Sequence, residues 1–193
     1  MSSCASEYKQ LKAVSADKNC IAKNRPSGLS TSWYTARIDV VGKHLSGLLF
    51  VKNMPDHSNR IIFMSEGGVK FFDFEFDSLH HFVVKQVISQ FNKKPVLTVL
   101  RQDFELLMGI PFQGELSSWE KGDELYFGNE AKSSFNYFIT PKDCSSVLRL
   151  ESASRRKKKV TIRQYGEPLA PDSIRIQHNT FGMSIGLRKL EKN

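Results

Sequence analysis

The stretch Val69-Lys70-Phe71-Phe72-Asp73-Phe74-Glu75-Phe76 decides the architecture. Phe72, Phe74 and Phe76 alternate with Asp73 and Glu75, which is the two-residue period of an extended strand with one apolar face. A helix would scatter the three rings around its circumference. The pattern therefore predicts a β-strand with its rings inward and both carboxylates in water. Immediately upstream, Ile61 to Ser65 reads as a partner strand, and Glu66-Gly67-Gly68 as the tight turn between the two.

The same period extends in both directions. Tyr34, Ala36, Ile38 and Val40 alternate with Thr35, Arg37 and Asp39, and Leu45, Gly47, Leu49 and Val51 share a face of the next strand. Met54 to Asn59 is a turn, and Phe82 to Ile88 makes a fifth strand. The period then changes. Pro95 suits a first helical position, and Leu97, Leu100, Phe104, Leu107 and Met108 recur at helical spacing, with Arg101, Gln102, Asp103 and Glu105 mostly opposite. Gly109 and Pro111 stop that helix. Gln113 to Asp123 reads as a loop containing Trp119. Six short strands follow, over 124–128, 133–139, 146–152, 159–165, 173–178 and 183–190. The expectation is a mainly β fold, a curved antiparallel half-barrel of about eleven strands with one amphipathic lid helix. Hairpin connections without βαβ alternation support it.

Composition agrees with a globular body. The 193 residues are 40% hydrophobic and 25% charged, enough for a core without metals or a disulfide framework. No apolar run approaches the ~20 residues of a membrane-spanning helix. A formal net charge of +8 makes an acidic partner plausible, whether nucleic acid or an anionic membrane surface.

The N-terminus reads differently from the body. Met1-Ser2-Ser3-Cys4 resembles the end of a bacterial lipoprotein signal sequence, although Met1 stands where leucine is more usual. On that reading Cys4 carries the lipid anchor, and the chain is a mature form. A free cysteine in a polar tail is the alternative. Residues 1–32 are polar and lysine-rich, with Asn24-Arg25-Pro26-Ser27-Gly28 as a breaker, and suit a tether that adds hardly any core to the domain over 33–193. Cys20 and Cys144 could pair in an oxidising compartment or remain buried, idle thiols.

Element order, Phe71–Phe76 and Leu100-Arg101-Gln102-Asp103-Phe104-Glu105-Leu106-Leu107 together resemble the LolA/LolB-like carriers and receptors of Gram-negative envelopes, in a branch of unassigned function. The resemblance implies an outer-membrane lipoprotein facing the periplasm, with no enzymatic activity and no cofactor beyond the lipid on Cys4. It further implies an apolar cavity for acyl chains of lipoproteins or lipids. Ile38, Leu49, Phe72, Phe74, Phe76, Ile174, Ile176, Ile185 and Leu187 would line its walls, and Leu97, Leu100, Phe104 and Leu107 its lid. The same side chains could instead fill a collapsed core. One departure stands out: the family's membrane-bound receptor exposes a leucine on the loop corresponding to Glu66-Gly67-Gly68, which is short and has none.

Arg155, Arg156, Lys157, Lys158 and Lys159 form a basic run expected to crown a hairpin. Such a run is most often a solvated loop that keeps a sheet protein soluble; otherwise it would meet lipid phosphates or an acidic partner, including a barrel complex for which this chain acts as an interaction subunit. Nucleic acid is disfavoured because no recognition motif accompanies the run. His80-His81 would point to opposite strand faces, a poor chelate, and His44, His57 and His178 read as isolated. No nucleophile, phosphate-loop or dinucleotide motif is present, so an enzyme is disfavoured.

Overall fold

The computed structural model describes residues 7–15, 17–131, 134–154 and 157–191, and among them thirteen antiparallel strands form one unclosed, curved sheet. A 3-10 turn at Glu7–Gln10 leads to β1 (Lys12–Val14) and helix α1 (Lys18–Asn24). A meander follows: β2 (Ser32–Val40), β3 (Lys43–Asn53), β4 (Asn59–Met64), β5 (Lys70–Phe76) and β6 (Phe82–Val87). Helix α2 spans Lys94–Leu107. The second meander comprises β7 (Ser117–Lys121), β8 (Glu124–Ala131), β9 (Ser134–Pro141), β10 (Arg149–Ala153), β11 (Lys158–Glu167), β12 (Ala170–His178) and β13 (Met183–Lys189). In space the order is β1-β7-β8-β9-β10-β11-β12-β13-β2-β3-β4-β5-β6. The two meanders therefore join where β13 pairs with β2, and β1 and β6 are the sheet's two edges.

Alternation places the core as expected. Tyr34, Ala36, Ile38 and Val40 are buried while the residues between them are exposed. Phe72, Phe74 and Phe76 are fully buried, and Phe72 lies 4.3 Å from Phe74 and 5.9 Å from Phe104 between ring centroids. Those rings, with Leu100, Leu107, Ile174, Ile176, Ile185 and Leu187, belong to one continuous core cluster. Pro95 falls in the first turn of α2, one residue after its start at Lys94, and Gly109, left-handed at φ 71°, follows its end.

Four local expectations are corrected. Residues 113–123 are not wholly loop, because Ser117–Lys121 pairs with both β8 and β1. Asp73 does not face water: it is 1% exposed, clasped by Arg60 at 2.7 and 2.8 Å and Lys70 at 3.1 Å. Burial raises its carboxyl, but the hydrogen bonds from Arg60 and Lys70 outweigh that and hold it below the usual range. Asp103 likewise is buried, and His178 is not isolated: its Nε2 lies 2.9 Å from Asp103 Oδ2, tying α2 to β12. Finally, residues 7–32 contribute Cys20, Ile21 and Leu29 to the core.

The Asp103–His178 contact makes a pH prediction. Burial pushes the Asp103 carboxyl up to about 6, only partly offset by His178. A carboxyl raised in the folded state binds its proton more tightly there than in the unfolded chain. Its contribution to stability is full below the ordinary aspartate range and is lost as pH rises through about 6. Chemical denaturation of Asp103→Asn at pH 4 to 7 should lack this downward slope, whereas an unchanged slope would assign it to other groups.

Candidate functional site

The convex side near β8, β9 and β10 is covered by the chain's own N-terminal segment. Tyr8 stacks on Tyr137 at 5.6 Å, Leu11 packs on the Tyr126–Tyr137–Ile139 cluster, and β1 hydrogen-bonds along β7. Beneath this hook lies a polar network. Glu151, completely buried, accepts from Tyr8 Oη at 2.6 Å, Arg149 Nε at 2.7 Å and Lys158 Nζ at 2.9 Å. Arg149 also forks onto Glu124 at 2.6 and 2.7 Å. Burial alone would raise the Glu151 carboxyl, but its three donors more than reverse that and keep it low.

The hook then turns towards the sheet's mouth. Asp17 caps α1 by accepting from the Asn19 and Cys20 amides. Cys20 and Cys144 form a disulfide across 124 residues of sequence, joining α1 to the β9–β10 loop. Asn24 Nδ2 reinforces that link, donating to the Cys20 carbonyl at 3.2 Å and the Cys144 carbonyl at 3.1 Å. Beyond α1 the backbone crosses the end of α2 so closely that a Cβ at Gly109 would collide with the Pro26 carbonyl oxygen. Glycine is required there for both its conformation and its size.

Between these parts lies a hollow of about 690 Å³. Its walls are residues 23–28 after α1, Leu107 at the end of α2, residues 145–149 before β10, and the β11–β12 hairpin, including Ile162, Tyr165, Pro168 and Leu169. The volume lies within the roughly 300–1,000 Å³ of small-molecule sites. At its rim Leu148, Tyr165 and Leu169 are 38%, 53% and 52% exposed, large apolar side chains that the fold leaves in water. Lys23 and Arg25 add positive charge to the lining, whereas Arg149 is neutralised by Glu124 and Glu151. An apolar chain entering this hollow would gain ~0.8 kcal/mol per buried CH₂.

The residues expected to line an acyl cavity are placed as follows. Leu107 lines this hollow. Ile38, Leu49, Phe72, Phe74, Phe76, Leu100, Phe104, Ile174, Ile176, Ile185 and Leu187 are brought together, but against one another in the core, with Leu97 partly buried beside them. Sequence reading missed Leu148, Tyr165 and Leu169: Leu148 and Leu169 lie in connections, outside any strand period, and Tyr165 sits at the bulge of β11, where the alternation breaks. Cys4, Arg155 and Arg156 lie outside the described residues. The basic run does fall at the β10–β11 hairpin, where Lys157 is exposed. Lys158, however, turns onto Glu151 instead of facing a partner. Among the described residues no helix is long and apolar enough to cross a membrane, and no group of three or more His, Cys, Asp or Glu side chains could hold a metal ion.

No protein-family model and no curated protein sequence matches the chain. Solved structures do. A LolA superfamily protein from Nitrosomonas europaea superposes with a TM-score of 0.51 at 9% identity, covering 92% of this chain and 93% of that one. A lipoprotein-sorting domain from Vibrio parahaemolyticus gives 0.46 at 9% identity over 90% and 88%. A DUF1329 family protein from Desulfovibrio piger gives 0.41 at 12% over 89% and 88%. The first covers nearly the whole of both chains, sheet and helices together. One open, curved antiparallel sheet with its helical lid has the LolA-like fold.

Proposed function

We propose that the protein is a non-catalytic carrier or receptor that binds acyl chains of lipids or lipoproteins in the hollow at the mouth of its half-barrel. The observation carrying this reading is the pairing of that 690 Å³ hollow with the exposed apolar rim of Leu148, Tyr165 and Leu169. Water-exposed apolar side chains around a concavity are stabilised when an apolar ligand covers them. We place the protein at the outer membrane, facing the periplasm, with lipid on Cys4 as its anchor and the residues ahead of Glu7 as the tether. The Cys20–Cys144 disulfide supports an oxidising compartment.

A fluorescent fatty acid should bind saturably to the purified protein. Leu169→Asp and Leu148→Asp should each weaken that binding about ten-fold or more, from lost apolar burial of ~1.5–3 kcal/mol together with the cost of a desolvated charge. Both side chains are exposed and lie in connections between strands, so folding should survive. Unchanged affinity in both variants would remove the hollow as the site.

The alternative, an interaction subunit of an outer-membrane assembly or export complex, is supported by exposed Lys157 at the basic hairpin and by the absence of leucine from Glu66-Gly67-Gly68. Co-purification with a barrel protein, lost when Arg155, Arg156, Lys157, Lys158 and Lys159 are reversed in charge, would favour it. Nucleic acid has no structural support beyond net charge.

A further inference from the structure

The outer face of β11, β12, β13 and β2 carries arginines that sequence spacing does not connect. Strand register lines them up. Arg163 stands opposite Arg175, Arg175 opposite Gly186, and Gly186 opposite Arg37. The neighbouring row holds Tyr165, Ser173, Arg188 and Thr35. All four arginines are exposed, and none has a carboxylate partner among the described residues. Nearby acids do not neutralise them: Asp39 is occupied by His44 at 2.7 Å and Ser184 at 3.3 Å, while Asp172 lies beside Gly166 and outside the arginine cleft. Like charges directly across a strand pair destabilise a sheet, a cost that an anion would reverse.

The arginines also surround a space. Gly186 has no atom within 4 Å of where a Cβ would sit, so it leaves an open floor between Arg175 and Arg37, two strand spacings or about 10 Å apart. Arg37, Arg175, Arg188 and Tyr165 are among the residues around the resulting cleft of about 340 Å³. Tyr165 belongs to this cleft and to the apolar hollow alike, at the β-bulge of β11. The two concavities thus share one lining residue.

We propose that the ligand is an anionic amphiphile whose acyl chain occupies the hollow and whose phosphate-bearing head passes Tyr165 to sit among Arg37, Arg175 and Arg188. This rests on the acyl-binding reading above and adds the class of head group. Guanidinium groups suit phosphate because their planar forks donate two parallel hydrogen bonds.

The test compares molecules with the same chain: a lysophosphatidic acid, the free fatty acid and an uncharged monoacylglycerol, with inorganic phosphate as a chainless control. The lysophosphatidic acid should bind at least ten-fold more tightly than the monoacylglycerol, with the fatty acid between them. The combined variant Arg37→Gln, Arg175→Gln, Arg188→Gln should abolish that preference while leaving monoacylglycerol affinity unchanged. Equal affinities in the unaltered protein, or a preference that survives the triple variant, would overturn the head-group assignment while leaving acyl binding intact. Inorganic phosphate binding as tightly as the lysophosphatidic acid would mark a free-anion site and overturn the amphiphile. Failure of all three acyl compounds to bind would sink the acyl reading itself.

Discussion

Replacing both Cys20 and Cys144 with alanine is expected to lower unfolding free energy by ~4–5 kcal/mol. In the chain-entropy model a crosslink closing a loop of this length restricts the unfolded ensemble by about that amount. The loss should not be confined to stability. The disulfide fastens α1, and hence residues 23–28, which form one wall of the hollow. With the link removed, Asn24 still bridges the Cys20 and Cys144 carbonyls, but one hydrogen bond is worth only ~0.5–1.5 kcal/mol. Fatty-acid affinity should therefore fall in the variant under conditions where it remains folded, and β1 should exchange amide hydrogens faster. Loss of stability with unchanged affinity would mean that the wall at residues 23–28 is not part of the site.

Phe72→Ala should cost ~3–5 kcal/mol of stability while leaving acyl binding unaltered at temperatures where the variant is folded. Phe72 is stacked on Phe74 and edge-on to Phe91 at 5.5 Å, with Phe63 and Phe104 also in contact range. Such a ring is fully packed, and removing it leaves a void the surrounding core closes only in part. If Phe72 instead lined a ligand cavity, truncation would cost little stability and change affinity. Thermal denaturation and fatty-acid titration on the same preparation separate these outcomes.

The contrast between these two sites shows which parts of the molecule could be read from sequence. Period-two alternation in β2, β5, β12 and β13 follows from each strand's own environment, one face to the core and one to solvent, so short windows sufficed. Asp73 and Asp103 were misread for the same reason: both occupy the polar phase of their elements, and their burial depends on Arg60, Lys70 and His178. Of these, only Lys70 is a close neighbour in sequence. The strand at Ser117–Lys121 has Ser118 and Trp119 without a run of apolar partners, and pairing on both sides holds it in the sheet. Residues 7–32 are mostly polar because, beyond Cys20, Ile21 and Leu29, their contribution is a disulfide, a Tyr8–Glu151 hydrogen bond and the three residue pairs of β1 with β7. None of these has a hydrophobic period. The convex arginines, scattered over 150 residues, become neighbours only through register.

Fold and site also divide physically. The aromatic half of the sheet, around β4, β5, β6 and α2, is filled by its own rings, while the hollow opens beside Leu107, the last residue of α2, near β10 and β11. Where Phe63, Phe72, Phe74, Phe91 and Phe104 interlock, an acyl chain would have to displace packed side chains at a cost similar to over-packing a core. At the mouth it displaces only water.

Photo-crosslinking with a fatty acid bearing a diazirine near its methyl end, followed by peptide mapping, tests the location most directly. Labels should fall on Leu107, Leu148, Ile162 and Leu169, and compete away with unmodified fatty acid. Competable labels concentrated on Phe72, Phe74 and Phe104 would contradict a site at the mouth of the half-barrel.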